Sequence, residues 1–238
     1  MIAIPAIDVQ AGTHVLRMPG SGGRAVSRLG DPLAAARDLV RQGFTRLHVS
    51  DLDAIAGRGA NDAVVRDLLR EWPGDVQVAG ALSSADDIRS ALDDGARYVV
   101  VDTRAADDLD AVNEQATMFP DEVIVSVVVR DRRAGLRRGM RVHEHYVMDL
   151  IDDLASLPLA GILVTLADRA GRAQGPDLAL LEDVAEAAGT LPVFAAGGVA
   201  SLADLRALDD RGIAGVVIAT ALHTGLLNPW LVSEEFAA

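Results

Sequence analysis

Short runs of β-branched and other apolar residues alternate along the chain with stretches whose apolar positions recur at helical spacing. Runs at positions 2–7, 46–50, 75–78, 98–101, 123–129, 161–165, 192–195 and 213–218 predict strands. Most are almost continuously apolar, as expected of strands buried on both faces. Between them, stretches such as 31–42, 84–94, 177–188 and 201–210 predict helices. Most open on Asp or Ser, whose side-chain oxygens accept hydrogen bonds from the free N–H groups of a first turn. Strict strand–helix alternation leaves two architectures, an open doubly wound sheet or a closed barrel. Eight units in 238 residues favour the barrel, and no linker or low-complexity stretch divides the chain. The expected fold is α/β: a single TIM (β/α)8 barrel occupying residues 1–238.

An internal repeat sharpens this. Ser84-Ala85-Asp86-Asp87-Ile88-Arg89 and Ser201-Leu202-Ala203-Asp204-Leu205-Arg206 lie 117 residues apart (201 − 84). The same offset pairs Gly80 with Gly197, Gly95 with Gly212, Val99-Val100 with Val216-Val217, and Thr103 with Thr220. A gapless offset close to half the chain predicts two duplicated half-barrels, each burying its open edge against the other.

Composition narrows the chemistry. There is no cysteine, which excludes disulfides, thiolate catalysis and Cys-ligated zinc, and fits a cytoplasmic setting. The first eight residues lack a basic n-region and read as a strand, so no signal peptide is expected. No apolar run approaches membrane-spanning length, so no membrane partner is expected. The net charge is −13 and every Lys/Arg position is arginine, which argues against a nucleic-acid partner.

The repeat marks the positions where ligands are expected. Ala79-Gly80-Ala81-Leu82 follows the third strand and Ala196-Gly197-Gly198-Val199 the seventh; Asp102-Thr103 and Ala219-Thr220 follow the fourth and eighth. Small residues at a strand end admit a phosphate to the backbone, and the next helix start supplies N–H donors. Gly197, Gly198, Ala219 and Thr220 form a candidate phosphate cradle; a glycine-requiring turn is the plainer reading. In the first-half copy Ala81 replaces the second glycine and Asp102 sets a carboxylate where an anion would sit. The expected partner is therefore a phosphorylated small molecule anchored by one phosphate.

Asp8 ends the first strand, where barrel enzymes carry catalysis, and is a candidate acid or base; a loop-bonding Asp is the alternative. Asp51 and Asp53 end the second strand and Asp168 follows the sixth. Asp51 and Asp168 obey the repeat offset and read as twin loop caps, with Asp168 also a candidate acid and Asp51 a candidate substrate-loop residue. Arg130, Arg132, Arg133, Arg137, Arg138 and Arg141 crowd into one stretch after the fifth strand. Arginine forks grip phosphate in pairs, so Arg137 and Arg138 could close over an anionic substrate or dock an acidic protein partner. A solvated loop paired with the chain's own carboxylates explains them equally. His143 and His145 bracket Glu144 without further ligands, so no metal is expected. Gly20-Ser21-Gly22-Gly23 reads as a flexible first loop without a P-loop lysine, and His14, His48 and His223 as packing or surface residues.

From Ile2 to about Leu226 the chain resembles the HisA/HisF histidine-biosynthesis barrels, most of all the HisA/PriA phosphoribosyl isomerases. The resemblance rests on Ile4-Pro5-Ala6-Ile7-Asp8-Val9, His48-Val49-Ser50-Asp51-Leu52-Asp53, Gly57-Arg58-Gly59-Ala60-Asn61 and Gly197-Gly198-Val199 followed by Ser201-Leu202-Ala203-Asp204-Leu205. It implies an Amadori rearrangement opening the ribose of a bis-phosphorylated aminoimidazole ribotide, with no metal or organic cofactor. It also implies an Asp pair as base and acid. Asp8 matches the first. Where the family has further acids, this chain reads Thr165-Leu166, Ala170-Gly171 and Val128, and the family's first-loop arginine falls on Leu16, beside Arg17. Those departures imply a degraded active site and a diverged paralogue that has lost or changed the standard reaction. The alternative is an active isomerase using Asp8 with a substitute acid such as Asp168.

Overall fold

The computed structural model describes residues 1–17, 26–103, 109–138 and 141–237, and of Arg137, Arg138 and Arg141 the backbone alone. The strands are β1 (Ile2–Gln10), β2 (Thr13–Arg17), β3 (Val26–Gly30), β4 (Arg46–Asp51), β5 (Asp75–Ala79), β6 (Tyr98–Asp102), β7 (Val123–Arg130), β8 (Arg133–Arg138), β9 (Arg141–Tyr146), β10 (Gly161–Leu166), β11 (Val193–Ala196) and β12 (Gly215–Ile218). Eight of them pair in parallel in the order β1-β4-β5-β6-β7-β10-β11-β12, and β12 returns to β1 through Ile2↔Gly215 to Pro5↔Ile218. The ring is closed. These eight are the strands expected from the apolar runs, with ends shifted by a few residues.

Alternation along each strand sorts the side chains into two cores. Ile4 and Ala6 of β1, Val100, Ile124, Leu163, Phe194 and Val217 fill the barrel interior. The alternate positions, such as Ile7, Val9, Leu47, Val49 and Val164, pack outward against the helices. The phase decides function: a residue in step with Ile4 and Ala6 points into the barrel, and Asp8 is the next in that step.

The two halves match in detail. Ser84 Oγ accepts from the Asp87 N–H at 3.2 Å while Asp87 accepts from the Ser84 N–H at 3.0 Å. Ser201 and Asp204 repeat this with 3.2 and 2.9 Å. Each reciprocal cap satisfies donors that the first turn of its helix, Ala85–Asp93 or Leu202–Asp209, cannot.

Two hairpins depart from the expected loops. β2 folds back antiparallel on β1 and carries β3. The arginine-rich stretch is an antiparallel hairpin, β8–β9, continuing β7. Its strand signal, buried Ala134 and Leu136 two residues apart, is masked in the sequence by the surrounding arginines. The Gly20-Ser21-Gly22-Gly23 stretch lies outside the described residues. Among the described residues no helix is long and apolar enough to cross a membrane.

Candidate active site

The strands' C-terminal ends open on a cavity of about 490 Å³. Its floor is set by register: β1 places Asp8 beside Ser50 of β4, and β10 places Thr165 between Val128 of β7 and Ala196 of β11. Among the described residues, Arg17, Arg130 and Arg172 line it against two carboxylates, Asp8 and Asp168. Within an acidic protein this is a locally cationic mouth, suited to an anionic ligand.

Asp8 is 7% exposed, and its Oδ2 accepts from Arg17 Nε at 2.9 Å. Burial pushes the carboxyl up, but the Arg17 charge and hydrogen bond outweigh it. The net pKa lies below the ordinary carboxylate value, so Asp8 is ionised at neutral pH: a proton acceptor. The β2 arm that delivers Arg17 is itself held. The Ala11 N–H donates to Asp53 Oδ2 at 2.7 Å and the Gly12 N–H to Asn61 Oδ1 at 2.8 Å, fixing the β1–β2 turn. Arg17, one position after Leu16, is thereby held against Asp8.

Asp51 is buried at 4% and lines no part of the cavity; its oxygens accept from the N–H groups of Asp53, Ala54 and Asn61 at 2.6–3.0 Å and from Asn61 Nδ2 at 2.7 Å. These bonds are those of a loop cap. Asp168 does line the cavity, but it is half-exposed and committed to the exit of β7: Arg130 Nε lies 3.3 Å from Oδ1, and the Asp131 N–H donates to Oδ2 at 3.1 Å. The side chains of Arg137 and Arg138 lie outside the described residues.

Gly197, Gly198, Ala219 and Thr220 all border the cavity, whereas Gly80, Ala81, Asp102 and Thr103 do not. Thr103 is fully buried, and its hydroxyl donates to Gly135 O of the hairpin at 2.7 Å. Of the positions where acids were expected, Val128 and Ala170 border the cavity, but Leu166 packs outward in the helix-facing core. An acid at 166 would not face the mouth on this backbone, so its replacement says nothing about the chemistry there.

Sequence reading missed the histidines' placement. Arg46, His48 and Ser50 form the inward phase of β4, a period-two polar stripe visible in the sequence once the strand is in place. His48 is 6% exposed, and burial, only partly offset by Asp8, lowers its pKa to about 4. His14, 2% exposed and edge-on to His223 with ring centroids 4.5 Å apart, is lowered to about 4 by burial and by His223. Burial also lowers His223. These groups are neutral in the fold, while the unfolded chain takes up protons near pH 6.5. Their stabilisation is thus complete above about pH 6.5 and lost as pH falls towards 4, roughly 3 kcal/mol for each of His14 and His48. The urea midpoint is expected to fall steadily from pH 7 to pH 4.5; a flat profile over that range contradicts these burial assignments.

The profile of the histidine biosynthesis protein family matches residues 2–228. The chain belongs to that family. It is 48% identical over the whole length of both chains to a Gemmatimonas aurantiaca protein named 1-(5-phosphoribosyl)-5-((5-phosphoribosylamino)methylideneamino) imidazole-4-carboxamide isomerase. It is 38% identical to a Myxococcus xanthus protein of the same name, again over the whole of both chains. A third, from Methanothrix thermoacetophila, is 37% identical over 94% of this chain and 93% of its own. All three of these relatives are named as isomerases.

Proposed function

We propose that the chain is an aldose–ketose isomerase acting on a phosphoribosylated imidazole-carboxamide ribotide. The observation that carries this reading is Asp8: an ionised carboxylate on the floor of a cationic cavity, with a glycine cradle on the same rim. In an Amadori rearrangement a group protonates the ribose ring oxygen as the ring opens to an imine. A base then removes the proton from the neighbouring carbon to give an enaminol; its enol hydroxyl gives up a proton as the former imine carbon gains one, leaving an aminoketose with no net gain or loss of protons. Asp8 is the base. Asp168, the other carboxylate bordering the cavity among the described residues, is the partner acid. One phosphate of the substrate is anchored by backbone N–H groups around Gly197-Gly198 and Ala219-Thr220, a backbone-lined anion site of the usual barrel kind.

A second reading, binding without turnover, is favoured by apolar Val128 and Ala170 on the cavity wall. Incubating the purified protein with the ribotide and following aminoketose formation decides between them. Turnover, together with rescue of a strain lacking the isomerase, is expected. Saturable ribotide binding with no product and no rescue supports the second reading instead.

A further inference from the structure

Strand β12 stops short of the end of β1, and a side chain completes the ladder between them. The Ile2 N–H donates to Ala214 O, and the register runs from Ile2↔Gly215 to Pro5↔Ile218. Peptide groups alternate sides along a strand, so Ile2, Ile4 and Ala6 turn theirs towards β12. One step beyond that register, the ladder donor for Ala6 O would be the Thr220 N–H. The chain has turned away by then: Ala219 takes φ −111° and ψ −76°, and Thr220–His223 forms a helical turn. Ala6 O is met instead by His223 Nε2 at 2.7 Å.

A carbonyl oxygen only accepts, so Nε2 carries the proton of this bond. Burial holds His223 below its ordinary pKa, so at pH 7 the ring is neutral and Nδ1 is bare. The ring is steadied from a second side. His14 of β2 stands edge-on to it, with centroids 4.5 Å apart and an interplanar angle of 77°. His14 pairs in register with Val9. His223 is therefore fastened to β1 two residues before Asp8, and packed on β2 opposite the residue that follows Asp8. Its own turn is closed by the His223 N–H to Ala219 O and Thr224 N–H to Thr220 O bonds, both 3.0 Å. Ala219 and Thr220, at the start of that turn, border the same cavity as Asp8.

We propose that His223 is a positioning residue: its bond to Ala6 O ties the Ala219-Thr220 side of the phosphate cradle to the strand that carries Asp8, and so fixes the span between anchored phosphate and base. The imidazole takes the carbonyl that a longer β12 would have claimed, which leaves the Ala219-Thr220 backbone to the cavity rim. A substrate held by its phosphate then meets Asp8 at a set distance, and catalysis by a fixed base is steeply sensitive to that distance. The effect on ligand and turnover rests on the cradle and isomerase reading; the tie itself is a property of the resting protein.

Nitrogen-15 NMR of the unmodified protein at pH 7 is expected to show His223 as the Nε2–H tautomer. Two variants separate the bond from the packing. His223→Phe keeps a ring against His14 without the N–H, and His223→Gln sets an amide N–H at nearly the reach of Nε2. Hydrogen exchange of the residue-223 and Thr224 amides is expected to quicken about fivefold in His223→Phe, the effect of one neutral hydrogen bond, and to return within about twofold of normal in His223→Gln. The Kd for inorganic phosphate is expected to rise, and ribotide kcat to fall, by about fivefold in the first variant and to recover in the second. An Nδ1–H tautomer, normal exchange or normal phosphate affinity in His223→Phe, or a His223→Gln variant no better than His223→Phe overturns the proposal. If the unmodified protein binds no phosphate or turns over no ribotide, the cradle or isomerase reading fails by itself, and the tautomer and exchange measurements still decide the tie.

Discussion

Asp8→Asn is expected to lower ribotide turnover by about a hundredfold or more while leaving the thermal midpoint nearly unchanged. Removing a positioned general base typically costs a factor of about 10² to 10⁴. Asparagine has the same shape but no proton affinity, so it fills the site between Arg17 and Ser50 without doing the chemistry. The fold is spared because the Arg17 side chain is 49% exposed, and losing the ion pair leaves its charge in water. Asp168→Asn supplies the comparison. Its carboxylate is 51% exposed and held by Arg130 and the Asp131 N–H, so its loss is expected to cost less than that of Asp8. Steady-state assays of both variants, with circular dichroism melts, test this. Asp8→Asn with more than about a tenth of normal kcat removes Asp8 from the base role. A collapsed melt with normal turnover per folded molecule makes it a structural residue instead.

The fold was legible because period-two burial and helix caps are local. Eight apolar runs became eight barrel strands, and the Ser84 and Ser201 motifs became matching capping boxes at the repeat offset. The candidate site was legible where one residue type at one strand end suffices, as at Asp8 and the Gly197-Gly198 pair. It was obscured where function depends on which face of a strand is presented. His48 and Ser50 look incidental until β4 is phased against β1, and Leu166 looks like a missing acid until β10 turns it outward. Arg17 was obscured for another reason. It reaches Asp8 only because β2 folds back with Asp8 opposite Val15, a register set by the turn at Ala11-Gly12 and its bonds to Asp53 and Asn61. No pattern in the 13–17 segment by itself announces that long-range tie.

Gly198→Ala is expected to abolish detectable phosphate anchoring and to destabilise the protein by roughly 1–3 kcal/mol, whereas Gly80→Ala is expected to do neither. The two loops are twins in sequence but not in backbone. Gly197 and Gly198 take φ of +98° and +97°, a region side-chain-bearing residues rarely enter. A Cβ on Gly198 would lie 2.6 Å from Gly175 O and 2.9 Å from Gly175 C, backbone atoms that cannot swing aside. The same two residues are tied by the Gly175 N–H to Gly198 O bond at 2.8 Å, so relieving the clash pulls the loop off the cavity rim. Successive backbone N–H groups in such a turn form the concave donor set that anions occupy, and opening it disperses them. In the first half Ala81 already stands at the matching position, and neither it nor Gly80 has positive φ. A Cβ on Gly80 meets only Ala54 and Asp51 Cβ atoms at 3.9 and 4.0 Å, ordinary contact. Isothermal titration with inorganic phosphate and with ribose 5-phosphate, beside urea unfolding, separates the two variants. Equal loss of binding in both, or unchanged binding in Gly198→Ala, contradicts an anchor built on the second-half loop alone.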